Sequence, residues 1–101
     1  MKKYFMYFVG SWGSLGSTNG LFNAPNGMVI NSAGTTVYVE DTTNNRVEYF
    51  DPLGNYLGQW GSGGTGNGNF NGPDAVVVNN AGTTIYVGDN NNQRVEYFTA
   101  N

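Results

Sequence analysis

The chain has 101 residues, a formal net charge of −3, 39% hydrophobic and 15% aromatic residues, 16 glycines, and neither cysteine nor histidine. That length holds one small domain, and the missing residue types exclude disulfides, thiolate metal centres and histidine catalysis or ligation. Four basic residues (Lys2, Lys3, Arg46, Arg94) against seven acids form no phosphate-tracking surface, so nucleic acid is not an expected partner, and no apolar run reaches the ~20 residues of a membrane helix.

In chain order, Lys2-Lys3 followed by Tyr4 to Val9 has the outline of a signal peptide start. The apolar stretch is short and aromatic and lacks a small-x-small cleavage site. An internal repeat explains the same residues better. With 10 Val, 9 Thr and 16 Asn against 4 Leu and 5 Ala, the chain favours strands and turns over helices. Met28-Val29-Ile30 and Val76-Val77-Val78 read as strands covered on both faces. Asn31 to Gly34 and Asn79 to Gly82 supply tight turns. Thr35 to Glu40 and Thr83 to Gly88 are second strands, followed by polar turns at Asp41 to Asn45 and Asp89 to Gln93. Arg46 to Phe50 and Arg94 to Phe98 are third strands. Asp51 to Asn55 is a turn before a fourth strand, Tyr56 to Trp60, and a Gly-rich connector from Gly61 to Asp74 leads to the second set.

Shifted by 48 positions, the sequence falls on itself: 25 of the 44 pairs from Gly10/Gly58 to Leu53/Asn101 are identical. A period between 40 and 50 residues is that of a propeller blade. The run Pro25 to Gly34, then Val37-Tyr38-Val39-Glu40-Asp41, then Asn44-Asn45-Arg46-Val47-Glu48-Tyr49-Phe50-Asp51, resembles the NHL repeat, as does Pro73 through Phe98. The resemblance covers nearly the whole chain twice and implies an all-β fold, two four-stranded blades of a six-bladed β-propeller. It departs from the family in carrying two repeats where a closed ring carries about six. The near identity of the repeats suits recent amplification or design.

Subtracting 48 from Tyr56 to Trp60 gives Phe8 to Trp12, so a fourth strand (residues 4–12) precedes the first repeat (26–60), and the second repeat (74–98) lacks its own. Such a chain is expected to close by association with itself; the six blades that the resemblance implies make the ring a homotrimer, in which residues 4–12 of one chain complete the last blade of its neighbour. Two-repeat chains could also close as dimers or tetramers, since propellers span four to eight blades.

Several segments have the outline of a functional site. Gly61-Ser62-Gly63-Gly64-Thr65-Gly66 has dinucleotide-loop spacing, but no helix follows it, and it reads as a connector. The loops beginning at Asp41 and Asp89 lack the Gly and Glu of a calcium-binding hand. The pairs Asp41–Arg46 and Asp89–Arg94 are instead expected to be structural ion pairs, as the family pattern implies. Glu40, Asp41 and Glu48 assemble no nucleophile, base and orienter, so no catalytic residues, metal ligands or cofactor are expected and the chain reads as non-enzymatic. Asn26 and Asp74, just before the innermost strands, are candidate ligand-binding residues at a channel mouth. Trp12 and Trp60 could stack on sugars or bases, though inter-blade packing suits a repeated strand-end residue better. Two other functions stay open at this point: a propeller module binding protein or glycan on its loop face, and a calcium-dependent hydrolase or lyase of the six-bladed type.

Overall fold

In the computed structural model, which describes residues 4–100, the two repeats form two antiparallel sheets. The first contains β1 (Pro25–Ile30), β2 (Val37–Asp41), β3 (Arg46–Phe50) and β4 (Tyr56–Trp60), in that order. The second contains β5 (Pro73–Val78), β6 (Thr84–Asp89) and β7 (Arg94–Thr99), and β7 is its last strand. One turn of 3-10 helix, Asn90–Asn92, is the only helix among the described residues. The fold is all-β.

Local chemistry sets these boundaries. Asn31 Oδ1 accepts hydrogen bonds from the Thr35 and Thr36 amides at 2.8 and 3.1 Å, and Asn79 Oδ1 does the same for Thr83 and Thr84. These turns hold the first threonines out of the ladder, so β2 begins at Val37 rather than at Thr35. The first strands reach back further than their apolar runs, because a bulge lets Pro25 lie opposite Asp41 and Pro73 opposite Asp89. At Gly61 (φ +104°) the chain leaves β4 under the Phe70 ring, where an added Cβ would come within 2.6 Å of ring atoms. Only glycine fits there.

Strand alternation gives each sheet two apolar faces. Val29, Tyr38, Val47 and Tyr49 form one row of the first sheet, called here its leading face; with Trp60 they pack on Val76, Val78, Ile85, Val87 and Phe98, the trailing face of the second. Phe70, fully buried, is part of the same cluster. A smaller cluster of Val37, Val39 and Phe50 lies on the trailing face of the first sheet, covered by Phe22 and Tyr56. Trp12 adds a ring contact to Phe50 at 5.6 Å.

The first strands are not covered on both faces, as their apolar runs suggested. Met28, Ile30 and Val77 are exposed while Val29, Val76 and Val78 pack in the seam. Each sheet has one neighbour within the chain, so one row of each first strand is left facing outwards. Residues 4–12, expected as a strand laid on a neighbouring chain, belong to no strand within their own, and Phe5 to Val9 are exposed. Lys2 and Lys3 lie outside the described residues.

Phe70 is fully buried in the seam cluster, so Phe70→Ala is expected to cost about 3–5 kcal/mol, read as a shift of the urea midpoint at unchanged slope.

Candidate functional site

Two side-chain systems hold this architecture: a clamp on each connector and a seam between the sheets. In the clamp, Asp41 and Arg46 stand opposite each other at the end of the β2–β3 ladder. Arg46 Nε donates to Asp41 Oδ2 at 2.8 Å, with both side chains buried. The rest of the guanidinium donates to the carbonyls of Ser17, Thr18 and Leu21 and to Gln59 Oε1. Glu48, two residues on and on the same face, lies 3.3 Å from Arg46 Nη2 and accepts the Gly20 amide at 2.8 Å. The second sheet repeats the arrangement: Arg94 bonds Asp89 and the carbonyls of Thr65, Gly66 and Asn69, while Glu96 takes the Gly68 amide. The ion pairs therefore tie each connector to the sheet that follows it, rather than tying one sheet to the other. Glu48 and Glu96 complete the clamp; the legible signal was a carboxylate at i+2 from each arginine, on the same strand face.

The clamp accounts for two rejected motifs. The oxygens of Asp41 are taken by the Asn23 amide, Asn44 Nδ2 and Arg46 Nε, and those of Asp89 by their counterparts. Within the glycine-rich motif, Thr65 and Gly66 turn their carbonyls toward Arg94, which is the wrong polarity for a phosphate, and the Gly68 amide just beyond it is taken by Glu96. Burial raises the pKa of Asp89, but the Asn71 amide, Asn92 and Arg94 together outweigh it and hold the carboxyl below its usual value. Burial drives Glu48 the other way, and the Gly20 amide and Arg46 only partly offset it.

The seam joins the apolar rows through three polar contacts. Ser32 Oγ donates to the Asn80 carbonyl at 2.6 Å, Thr42 Oγ1 to the Pro73 carbonyl at 2.8 Å, and the Gly72 amide to Asn45 Oδ1 at 2.9 Å. Trp60 packs among Tyr38, Tyr49 and Phe98. Both tryptophans thus serve ring packing, Trp12 on Phe50 and Trp60 in the seam.

Asn26 and Asp74 are both exposed, each at the second residue of its sheet's first strand. β1 and β5 are neighbours across the seam, which brings the two residues to one end of the molecule. Asp74 Oδ1 lies 3.1 Å from where Gly88 would carry a Cβ. In the first sheet the acid sits on the facing strand instead: Glu40 Oε1 lies 2.8 Å from the Cβ position of Gly27. Each sheet thus carries one acid on its leading face over one glycine, with the two residue types exchanged between strands.

Glu40 differs from Asp74 in its surroundings. It is fully buried, and among the described residues neither carboxylate oxygen accepts a hydrogen bond. Burial pushes its pKa from 4.5 up to about 7; the nearby Gly27 amide lowers it somewhat and the Asp74 charge raises it further. No cluster of three or more His, Cys, Asp or Glu suited to a metal occurs among the described residues, and no helix there is long and apolar enough to cross a membrane. Compared with known proteins, the chain matches no family model and no curated protein.

Arg46→Ala strands two buried carboxylates and is expected to cost about 3–5 kcal/mol in urea unfolding. Arg94→Ala, whose side chain is 28% exposed against 6% for Arg46, is expected to cost less in the isolated chain. The pKa of Glu40 is higher in the folded than in the unfolded chain, so its contribution is fully present below pH 4.5 and lost as pH rises through about 7. Melting curves across that window should fall for the wild type and stay flatter for Glu40→Gln; parallel curves would remove Glu40 as the cause.

Proposed function

We propose that the chain is a non-enzymatic assembly protein whose copies join head to tail into a closed β-propeller. One observation carries this reading. The leading face that packs in the seam of the first sheet recurs on the second, where it is open to solvent: Val47 is fully buried and its counterpart Val95 is 66% exposed. Tyr38 and Tyr86 differ in the same way, at 7% and 40%. The complementary trailing face is also present, on the first sheet, where Met28 and Ile30 stand exposed beside Val37, Val39 and Phe50. A second copy placed as the second sheet is placed on the first buries both rows, and a head-to-tail contact repeated about an axis closes into a ring when its rotation divides a full turn. The resemblance to NHL repeats supports a ring of six blades, hence three chains.

The free edge of β7 supports an exchange of strands in that ring. Within the first sheet, β4 pairs with β3 so that Trp60 faces Val47, Gln59 faces Glu48, Gly58 faces Tyr49 and Tyr56 faces Phe50. Moved back 48 residues, the register sets Trp12, Ser11, Gly10 and Phe8 of a second copy against Val95, Glu96, Tyr97 and Phe98. A cavity of about 580 Å³ lies between Tyr38, Tyr49, Leu57 and Trp60 of the first sheet and Phe98, Thr99 and Ala100 at the end of the chain. Gly58 leaves room for the Tyr49 ring, whereas Gly10, with nothing within 4 Å of its Cβ position, has no such neighbour in its own chain.

Native mass spectrometry at low micromolar concentration is expected to give three times 10.9 kDa. Deleting residues 1–11 should abolish the assembly, while deleting residues 100–101 should leave most of it intact. A folded monomer in the undeleted chain would overturn the reading.

A further inference from the structure

The apolar faces account for affinity between copies but not for register, because a row of valines and tyrosines can slide on another such row. Within the chain, register across the seam comes from Ser32, Thr42 and Asn45. Their counterparts 48 residues on are Asn80, Asn90 and Gln93. All three are exposed, and among the described residues their side chains make no hydrogen bond. Each keeps the capacity that its position needs: Asn80 and Asn90 carry an amide donor where Ser32 and Thr42 carry a hydroxyl, and Gln93 carries an amide oxygen where Asn45 does.

The residues that they would meet are also open to solvent. Gly72 and Pro73, which receive the in-chain contacts, are half-buried and buried; their counterparts Ala24 and Pro25 are exposed. Backbone shape is retained as well. Gly72 has φ +63° and Ala24 has φ +60°, so a residue with a side chain is held in the left-handed region that its counterpart fills with glycine. The Ala24 amide and Pro25 carbonyl are therefore presented as those of Gly72 and Pro73 are. On the opposite side, Asn90 and Gln93 border a recess of about 480 Å³ with Asp74, Gly88 and Val95.

We propose that Asn80, Asn90 and Gln93 are the residues by which one copy reads the next, with Asn80 donating to the Ser32 carbonyl, Asn90 donating to the Pro25 carbonyl, and Gln93 Oε1 accepting the Ala24 amide of a second copy. The inference rests on the head-to-tail assembly and names its specificity-determining contacts. It makes the seam between chains a polar copy of the seam within the chain, with amide side chains replacing two hydroxyls.

The test uses the full chain and two double variants. Asn90→Asp with Gln93→Lys puts an acceptor against the Pro25 carbonyl and a donor against the Ala24 amide. By sedimentation across a concentration series, it is expected to weaken assembly by about tenfold or more, with far-ultraviolet dichroism unchanged. Asn90→Thr with Gln93→Asn installs the residues of the first repeat and should assemble like the wild type. If the wild type assembles and the first variant assembles equally well, the polar reading is overturned and the ring stands. If the first variant loses its strand dichroism, the side chains serve their own chain and the proposal also fails. If the wild type itself stays monomeric, the ring reading fails first.

Discussion

A β-sheet that is apolar on both faces needs cover on both sides, and this constraint governs the molecule. Neither sheet has a polar face to offer water, because Val29, Tyr38, Val47 and Tyr49 alternate with Met28, Ile30, Val37, Val39 and Phe50 along the first, and the second repeats the pattern. Packing one sheet on the other satisfies one face of each. What remains open is one leading and one trailing face, complementary because the chain already joins such a pair in its own seam.

The clamps make that packing geometrically definite. Connectors rich in glycine would otherwise be loose, and their free carbonyls would be costly next to a buried core. Arg46 and Arg94 gather three carbonyls each, and Glu48 and Glu96 take an amide, so the backbone of each connector is held by charge-assisted bonds. Held in this way, the connectors deliver Phe22 and Phe70 to the same place on successive sheets, each packed at a steep angle against the phenylalanine of the third strand, with ring centroids 5.6 and 5.9 Å apart. The higher exposure of Arg94 follows from its sheet having no fourth strand, since Gln59 of β4 is the extra partner that Arg46 has.

Glu40 is the departure from this repetition. It puts an unsatisfied carboxylate into the one seam that the chain completes by itself, where burial favours the protonated acid. Its repeat position on the open leading face is Gly88, with Asp74 close against it at the surface. The seam within the chain and the surface offered to a second copy are thus alike in shape and unlike in charge. Proton binding acts on the first through Glu40.

Strand types, their order and the turn positions were legible in the sequence, because β-branched runs, four-residue turns from Asn to Gly and a 48-residue repeat are local or periodic signals. The pairing of Asp41 with Arg46 and of Asp89 with Arg94 was legible too, since a short turn brings each pair to one ladder rung. Which connector each guanidinium holds was not, because Ser17, Thr18 and Leu21 approach Arg46 only after about 28 residues of chain have folded back. An unbroken apolar run made Met28-Val29-Ile30 look covered on both faces, although coverage depends on how many neighbours a sheet has, which no window of sequence records. Burial of Glu40 likewise followed from the approach of β5, and its sequence context, Val-Glu-Asp, is that of an exposed strand end. The sequence by itself determined an all-β chain of two equivalent units with defined turns, because those depend on side chains a few residues apart. Only the tertiary structure decided which faces meet, which carboxylates are satisfied and which polar groups are left to face outwards, because these depend on long-range contact between surfaces that the local sequence makes nearly identical.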